Sequence, residues 1–439
     1  MSEKKVGILL LSHCGYSFME ELSGVVRQLG WESYVLSSCP LVEPDKRIKQ
    51  LSSYTDQLII TKNHVISWDE VQDTLDQLRL NNKRILACLS VWEGYRGLMA
   101  RTNAKLGAFD IHTDDVCFLR DKFLLREMLK NKQLTHIDSE ILCRSTLKKY
   151  KKSKKRKFIK PRYGIASYGA FSFTPTLAWQ DIENIKNEII NDEEYVSIFD
   201  KKIDFIIEDY IDAPEFSFEV IIFQDIPYVI AIHEKIDLRE NKSTVLEAAC
   251  TSAPLNLSRD DITEASTWIH NIVDELRLSF GCYHIEARLS SHGWEIIEMN
   301  PRVGGALITK SVELLTNGES LLSLWLKTLI TQDQDGVNNL HSHLKKISTR
   351  NEVFFSRKDY TFFRVYFATT KGIIQNIRIN EIEKQPVSVQ TFFKQGQKIS
   401  NQSREIFIGQ ALWKISKDEV SKMTDLLHES KNLFEVIYE

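Results

Sequence analysis

Runs of apolar residues and stretches of mixed polarity follow one another along the first hundred residues of the chain. Continuous apolar runs predict buried strands, and apolar residues recurring every three or four positions predict amphipathic helices. Strands are predicted at residues 6–12, 32–37, 57–61 and 84–89, and helices at residues 17–29, 68–80 and 95–106. Because strands and helices alternate, this part of the chain is predicted to form a parallel, doubly wound α/β sheet.

The first predicted strand ends in a short turn, Ser12-His13-Cys14-Gly15. A turn at this end of a parallel strand can bind phosphate, but the glycine pattern G-x-G-x-x-G is absent. A plain structural turn is therefore favoured over a phosphate-binding loop.

Strand signals return after a charged amphipathic helix predicted at residues 121–132. Further strands are predicted at residues 158–160, 203–209, 216–223 and 228–234, and a helix at residues 260–278. Beyond about residue 335, strands at residues 352–357, 361–369 and 373–379 predict a smaller antiparallel sheet, closed by a helix at residues 417–430.

Composition changes this picture little. Of 439 residues, 43% are hydrophobic and 27% are charged, and a net charge of -3 gives no general attraction to nucleic acid or anionic membranes. No apolar run approaches the roughly 18 residues needed to span a bilayer. Seven cysteines without a C-x-x-C pair favour reduced thiols. We therefore expect a cytoplasmic protein with neither a membrane nor a nucleic-acid partner.

One segment stands against that expectation, because residues 148–157 contain eight basic side chains in ten. Such a run is typical of a nuclear signal or a nucleic-acid patch. However, the aromatic residues nearby are only Tyr150 and Phe158, and the run leads directly into a predicted strand. A solvated loop is the favoured interpretation.

Two alternating segments, residues 283–290 and 294–300, are separated by Ser291-His292-Gly293. A three-residue loop with glycine last is a common hairpin connection and pairs Ser290 with Trp294. The same register gives the pairs Arg288 with Ile296, Glu286 with Glu298, and His284 with Asn300. Alternation places His284, Glu286, Arg288, Glu298 and Asn300 on one face. The buried face is predicted to carry Ile285, Ala287, Leu289, Ile297 and Met299.

The polar face of this hairpin predicts a metal and phosphate site. Glu286 and Glu298, with Cβ atoms about 5 Å apart, repel each other unless a cation lies between them. Two carboxylates and the amide oxygen of Asn300 suit Mg²⁺, which shares nucleotide phosphates. Residues 301–305 add Arg302 and paired glycines, which suit anion binding at a helix start. This neighbourhood weakens the alternative that both carboxylates are simply solvated.

The hairpin letters H-I-E-A-R and E-I-I-E-M-N-P-R-V-G-G resemble the metal-binding signature of ATP-grasp enzymes. In that family, one lysine of the opening helix and one of a following strand reach the ATP phosphates. Lys122, after Arg120-Asp121, matches the first, and Lys160 in F-I-K-P matches the second. The resemblance therefore implies that both lysines position the triphosphate.

Further matches follow in order along the chain. Gly164, Ser167 and Gly169 match the small loop that closes over the triphosphate, although Ala166 and Ala213 stand where relatives often have glycine. The letters I-E-D-Y-I resemble the hinge that meets adenine. The hinge residues are Glu208, Tyr210 and Ile211, and Glu215 falls at the family's ribose-binding carboxylate.

The resemblance implies an ATP-grasp fold that combines α/β and α+β parts. We expect a Rossmann-like domain at residues 1–118 and an ATP-grasp domain at residues 119–334, with a lid at about residues 135–209. A small antiparallel-sheet domain is expected at residues 335–439. This three-part plan is similar to that of the L-amino acid ligase (dipeptide-forming) group and related carboxylate–amine ligases, whose substrate pocket lies near the positions of Glu247 and Pro254.

The implied activity needs ATP and Mg²⁺, with Mn²⁺ as an alternative ion, held by Glu286, Glu298 and Asn300. A carboxylate substrate becomes an acyl phosphate, which an amine displaces to give an amide. Arg302 is the candidate for holding the substrate carboxylate or the oxyanion. His284 either orients a ligand or is structural, and Lys235 is either a third phosphate-binding cation or a surface salt bridge.

The substrates are expected to be a small carboxylate and an amine, with amino acids favoured, and a homodimer is possible. One alternative passes the acyl group to a carrier-protein thiol or another acceptor. A second alternative is an ATP-binding protein without catalysis, which predicts eroded metal ligands. Because all three predicted ligands and Arg302 are present, an enzyme is favoured.

Overall fold

The computed structural model describes residues 5–15, 18–199, 202–368, 370–399 and 404–439. Two ends of predicted elements lie outside these ranges: Ser17 of the first helix and Thr369 of a carboxy-terminal strand. Within the described part, the strands form four sheets.

The amino-terminal sheet is parallel, as the sequence predicts. Its strands, in the order β3-β2-β1-β4, are β1 (Lys5–Ser12), β2 (Glu32–Ser37), β3 (Gln57–Ile60) and β4 (Lys83–Leu89). The helices are α1 (Met19–Gln28), α2 (Pro44–Ser53), α3 (Trp68–Leu80), α4 (Arg96–Leu106) and α5 (Thr113–Arg120). β1 is apolar because a parallel strand is covered on both faces. The predicted doubly wound arrangement is confirmed.

The turn after β1 has its backbone donors occupied. The N–H groups of Cys14 and Gly15 donate to the hydroxyl oxygens of Ser38 (2.8 Å) and Ser37 (3.1 Å). Since these N–H groups already have partners, the geometry agrees with a structural turn rather than a phosphate loop.

A second, antiparallel sheet forms the lid, a term used here for its strands and helices. Its order is β5-β8-β6-β7, with β5 (Ser139–Ile141), β6 (Lys157–Pro161), β7 (Phe171–Ser172) and β8 (Phe205–Asp209). Helix α6 (Lys122–Asn131) precedes it, and α7 (Arg144–Tyr150) and α8 (Trp179–Ile190) lie within it. Ile159, Ile185 and Ile207 belong to its separate core. All four strands fall within the predicted lid range.

The basic run begins in α7 and continues as an exposed turn, which agrees with the favoured interpretation. Lys157, its last residue, differs because it is buried in β6 and pairs with Asp209 at 2.7 Å.

The third sheet is central and antiparallel throughout, with the order β13-β12-β9-β10-β11-β14-β18-β16. Its strands are β9 (Glu215–Phe223), β10 (Ile226–Glu240), β11 (Val245–Ser252), β12 (Phe280–Ser290), β13 (Gly293–Asn300), β14 (Asp359–Phe367), β16 (Ser388–Thr391) and β18 (Phe407–Ser416). Alternate residues of β9 face opposite sides. Val220 packs in the core that contains α9 (Arg259–Leu276), and Ile221 in the core that contains α11 (Leu321–Ile330).

The remaining strands form a small sheet of β15 (Gly372–Ile379), β17 (Lys398–Ile399) and β19 (Phe434–Tyr438). The other helices are α10 (Ile308–Leu315), α12 (Gln334–Ile347), α13 (Glu352–Phe355) and α14 (Met423–Glu429). Short 3-10 helices cover Glu93–Tyr95, Val196–Ile198, Lys417–Lys422 and Ser430–Asn432.

Three carboxy-terminal predictions need correction. The strands predicted at residues 361–369 and 373–379 do not share one small sheet, because β14 joins the central sheet and β15 the small one. The strand predicted at residues 352–357 is wrong: helix α13 begins there because the Asn351 side chain caps it, accepting from Val353 N–H at 2.9 Å. The helix predicted at residues 417–430 is divided, since a 3-10 turn precedes α14.

The central sheet crosses the predicted boundary at residue 334, because β11 pairs with β14. The two domain boundaries and the lid range stay predictions. In the described ranges, no helix has the length and apolar character needed to cross a membrane.

Candidate active site

The β12–β13 hairpin has the predicted register where the expected metal ligands lie. Two predicted pairs are confirmed: His284 with Asn300, and Glu286 with Glu298. At the turn the predicted register is wrong, because Ser290 pairs with Gly293 and the connection is only two residues long.

A bulge in β13 reconciles the two ends, with Ile297 as the additional residue. The prediction for the two isoleucines is therefore reversed: Ile296 is buried in the core, whereas Ile297 lines a cleft. Arg288 pairs with Glu295 instead of Ile296. The carbonyl oxygen of Ile297 accepts a hydrogen bond from Lys160 Nζ at 3.1 Å, so the bulge supplies a contact inside the site.

This cleft, of about 790 Å³, lies between the lid and the central sheet. Seven of the nine residues predicted to bind the nucleotide line it: Lys122, Lys160, Ser167, Glu208, Tyr210, Ile211 and Glu215. The predicted metal ligands Glu286 and Glu298 line it as well. We call it the nucleotide cleft.

Gly169 and Lys235, the other two predicted residues, are not among the described residues that line this cleft. Gly169 has φ +71°, and a Cβ there would approach Ile185 to 3.1 Å, so glycine serves packing behind the loop. Ala166 and Ser167 also have positive φ, 55° and 48°. The alanine thus adopts a conformation that glycine would adopt with less strain.

Lys160 is buried on β6 beside Glu208 of β8, with Nζ 2.6 Å from Oε1. Arg126 of α6 approaches the other carboxylate oxygen at 3.5 Å. Burial lowers the pKa of Lys160, while the Glu208 carboxylate opposes this. Burial would raise the pKa of Glu208, but Lys160 and Arg126 together lower it. With two cations around one carboxylate, Lys160, Arg126 and Glu208 together place a net positive charge at the cleft wall.

Lys122, at the start of α6, reaches across the cleft to the hairpin. Its Nζ lies 3.0 Å from Glu298 Oε2 and donates to the Gly164 carbonyl oxygen at 3.2 Å. The Asn300 amide donates to Glu298 Oε1 at 2.8 Å. Lys122 therefore joins the lid loop to a predicted metal ligand, where it can contact a phosphate.

Lys235 lies on β10 among three carboxylates. Its Nζ is 2.7 Å from Glu215, 2.6 Å from Glu247 and 2.7 Å from Glu286. Its side chain is buried, so the alternative of a surface salt bridge is wrong. Burial would lower the pKa of Lys235, but the three carboxylates raise it well above its ordinary value.

The same three carboxylates have ligand atoms within 4.8 Å of one another, a spacing that also suits a metal ion. In this arrangement the Lys235 ammonium lies among them. Glu215 is also bound by Arg288, whose Nη2 lies 2.8 Å from Oε2. The acidic end of the cleft is therefore neutralised by the chain's own cations.

His284 bridges two carboxylates, with Nδ1 2.9 Å from Glu219 and Nε2 3.1 Å from Glu286. Burial would lower the pKa of His284, but the two carboxylates raise it to about 10. A Cβ at Gly304 would lie 2.8 Å from Nδ1, so the first glycine after Val303 makes room for the ring. His284 therefore fixes Glu286, which supports its orienting role.

Arg302 leaves the hairpin end and meets the amino-terminal unit, with Nε 2.7 Å from Glu93 Oε2. Arg120 approaches the other Glu93 oxygen at 3.1 Å. Arg96 donates to the Pro301 carbonyl oxygen at 2.6 Å. Glu93 and Arg96, which sequence reasoning missed, hold the turn that presents Arg302.

The predicted ligand set fits a magnesium ion by its chemistry. Glu286 Oε2 and Asn300 Oδ1 receive no hydrogen bond from any described residue. Burial would raise the pKa of Glu286, but Lys235 and His284 lower it well below its ordinary value, so the carboxylate is charged. Together with Glu298 these oxygens form the hard donor set that Mg²⁺ prefers.

A second cavity, of about 1270 Å³, adjoins the nucleotide cleft and shares Glu247, Glu286 and Glu298 with it. Arg302, His284, Lys235 and Asn300 line it, together with apolar side chains. Glu247 lines both spaces, whereas Pro254 is not among the described residues that line either. We call it the acceptor-side cavity.

Sequence reasoning missed two buried carboxylates of this site. Glu219 lies at 0% exposure in β9, and an acid between the apolar residues Phe218 and Val220 was the available signal. Glu405 lines the acceptor-side cavity next to β18. Its sequence surroundings carry no periodic pattern that marks it.

The sequence of residues 155–310 matches the ATP-grasp domain family. Over 100% of each chain, the fold is similar to L-amino acid ligase from Bacillus licheniformis, with a TM-score of 0.74 and 16% identity. Phosphoribosylglycinamide synthetase from Anaerococcus prevotii gives 0.65 and 17%, over 99% of this chain and 100% of that one.

The biotin carboxylase domain of Hydrogenobacter thermophilus 2-oxoglutarate carboxylase, solved with Mg-ADP, gives a TM-score of 0.66 and 14% identity over 98% and 91% of the chains. Identities this low show a shared fold alone. A search of curated proteins gives no match. The chain contains an ATP-grasp domain and has the ATP-grasp fold, whose standard cofactors are ATP and Mg²⁺.

Proposed function

We propose that the protein is an ATP- and Mg²⁺-dependent carboxylate–amine ligase that forms an amide bond through an acyl phosphate. The observation that carries this proposal is the position of the oxygen-only ligand set. Glu286 and Glu298 line both the nucleotide cleft and the acceptor-side cavity, and Asn300 and Arg302 line the second. The position of these residues between the two spaces therefore supports transfer of a phosphate group from ATP in the cleft to a carboxylate in the cavity.

In the first step, a carboxylate oxygen attacks the γ-phosphorus of ATP, and ADP leaves. Lys122 and Lys160 position the phosphates. The hinge residues Tyr210 and Ile211, together with Glu215, contact the nucleoside. Bound Mg²⁺ supplies neutralisation of the phosphate charge. Glu286, Glu298 and Asn300 would hold it, and His284 and Lys235 keep Glu286 charged and in place.

In the second step, an amine nitrogen attacks the acyl carbon, phosphate leaves and the nitrogen loses a proton. Arg302 is suited to bind the substrate carboxylate first and the tetrahedral oxyanion afterwards. Its Nε donates to Glu93 and its Nη1 to the Val303 carbonyl oxygen, which leaves Nη2, without a partner among the described residues, for the substrate in the cavity that Arg302 lines.

An amino acid is the favoured substrate, and two facts support this choice. The fold is similar over its full length to that of an L-amino acid ligase. The acceptor-side cavity also has the size for small molecules. The carrier-protein thiol and the non-catalytic ATP-binding protein remain alternatives. The homodimer and the cytoplasmic location stay predictions as well.

The test incubates the purified protein with ATP, Mg²⁺ and mixtures of amino acids. We expect ADP and phosphate to be released together with an amide, identified by mass spectrometry. Release of AMP and pyrophosphate would exclude the acyl phosphate. A thioester or no turnover would favour one of the alternatives.

A further inference from the structure

The acceptor-side cavity contains a carboxyl group that the proposed reaction does not use. Glu405 is 8% exposed and lines the cavity. Its Oε1 accepts one long hydrogen bond, from the backbone N–H of Glu247 at 3.4 Å. No described residue donates to Oε2. A carboxyl group that is largely buried, lines a cavity and has an oxygen without a donor favours a ligand that brings one.

The cations near Glu405 are engaged elsewhere. Lys235 is shared by three other carboxylates, and Arg302 binds Glu93. Arg404, its neighbour in sequence, directs its guanidinium group to Asp192 at 2.9 Å and to Glu194. Burial, and then repulsion from Glu247, raise the pKa of Glu405 well above its ordinary value. A bound cation would relieve both effects.

The walls around Glu405 are largely apolar. Phe363 and Phe367 of β14, Phe407 of β18, and Trp92 from the amino-terminal unit line the same cavity. A metal ion would find few oxygen ligands among these side chains, whereas an organic cation with an apolar group would contact both the carboxyl group and the rings.

We propose that Glu405 binds the α-ammonium group of an amino acid with an apolar side chain and so selects amino acids over plain carboxylic acids. The inference rests on the proposed ligase function and names its substrate class. An ammonium group has no lone pair for attack. The amino acid held here is therefore the one whose carboxylate is activated, and the attacking amine comes from a second molecule.

The test compares L-phenylalanine with 3-phenylpropanoate, and L-leucine with 4-methylpentanoate, because each pair differs only in the amino group. Binding to the full chain is measured by isothermal titration calorimetry with Mg-ADP present, and KM is measured by ADP release. The proteins are the wild type, Glu405→Gln, Glu405→Asp and, as a control, the exposed Glu435→Gln.

We expect the wild type and the control to bind at least one amino acid about tenfold or more tightly than its deaminated partner. Glu405→Gln should bring this ratio close to one with the KM for ATP within about twofold, and Glu405→Asp should restore part of the preference.

An equal affinity of the wild type for both members of each pair would overturn the proposal, as would binding of neither amino acid. A preference that survives in Glu405→Gln would also overturn it. Mg²⁺ binding that is lost in Glu405→Gln, without an amino-acid preference, would assign the carboxyl group to a metal instead. If no substrate releases ADP, the ligase function fails, while the calorimetric ratio still decides the role of Glu405.

Discussion

The nucleotide cleft and the acceptor-side cavity share a wall but differ in how their charges are matched. Six acidic residues line the cleft, and each contacts a lysine or arginine. In the acceptor-side cavity, Glu405 has no such partner among the described residues. Every acidic side chain of the first space thus has a cationic partner within the chain, whereas the partner that we propose for Glu405 is the ammonium group of a ligand.

The two spaces also differ in how the chain builds them. The cleft residues come from Lys122 to Glu298, mostly inside the matched segment 155–310. The acceptor-side cavity gathers Trp92, Phe363 and Glu405 from parts of the chain outside that segment. The proposed nucleotide site thus lies mostly in the part with a family pattern, whereas the proposed substrate site also draws on parts without one.

The largest expected effect is in the shared wall. Glu298→Gln keeps the size of the side chain but removes the charge that a magnesium ion needs. We expect kcat to fall about 10³-fold, measured by coupled ADP release at saturating ATP. The matched control is Glu352→Gln, whose exposed carboxylate forms an ion pair with Arg259 and with no other residue in the described ranges. Unchanged turnover in Glu298→Gln would remove this residue from the metal site.

The cleft was largely predictable from the sequence because alternation marks the residues of its hairpin and the family resemblance marks most of its other residues. Strand alternation placed Glu286, Glu298 and Asn300 on one face, and the structure confirms this. The turn was predicted one residue too long, and the bulge at Ile297 was not foreseen. These errors cancel at the ligands, since the bulge returns the register that the shorter turn had shifted.

The acceptor-side cavity was not predictable in the same way. It depends on which distant elements pack together, and β11 and helices α10 to α12 were not predicted at all. Glu405 lies in an irregular stretch. Neither the two-residue period of a strand nor the 3.6-residue period of a helix therefore predicts which way its side chain points. The pairing of β11 with β14 and the contacts of Arg404 with the lid bring that end of the chain to the site.

The second prediction removes the charge matching of the cleft. Lys235→Met leaves Glu215, Glu247 and Glu286 close together without their shared ammonium group. We expect the free energy of unfolding to fall by about 3 kcal/mol or more, measured by urea denaturation at pH 7. Lys327→Met is the control, because Lys327 pairs with Glu319 in a partly exposed position. Its loss should stay below about 1 kcal/mol. Equal losses would contradict the special role of Lys235.

The third prediction concerns the wall of the acceptor-side cavity at Trp92. His13 stacks on Trp92 at 4.4 Å, accepts from Tyr95 Oη at Nδ1 and donates to the Glu194 carbonyl oxygen at 2.7 Å. These partners fit the neutral ring, and burial lowers the pKa of His13 from 6.5 to about 4.

In the unfolded chain, His13 takes up a proton below about pH 6.5, whereas in the folded chain it does so only near pH 4. The free energy of unfolding therefore has its full value above pH 6.5 and falls as the pH drops below it. The loss is about 1.4 kcal/mol per pH unit at most, or about 3 kcal/mol by pH 4. Between pH 7 and pH 4.5, the free energy of unfolding measured by urea titration should fall less for His13→Gln than for the wild type. An equal fall in the free energy of unfolding of both proteins would show that His13 is charged in the folded protein.

The smallest expected effect separates the two spaces most directly. Arg404 joins the segment beside Glu405 to the lid, contacting Asp192 at 2.9 Å and Glu194 at 3.0 Å, with Tyr195 4.1 Å from the guanidinium carbon. Arg404→Gln removes these contacts without touching the nucleotide cleft. We expect the KM for the amino acid to rise about three- to tenfold, and the KM for ATP to stay within about twofold.

Arg404→Lys keeps the charge, but an ammonium group cannot bind Asp192 and Glu194 together as the planar guanidinium group does. We therefore expect a KM for the amino acid between those of the wild type and Arg404→Gln. Both constants are measured by ADP release with the other substrate saturating. A rise in the KM for ATP alone would show that the lid is held for the nucleotide rather than for the acceptor side. The contact of Arg404 with the lid would then serve ATP binding in the nucleotide cleft. Binding of the amino acid in the acceptor-side cavity would depend on Glu405 and not on this contact.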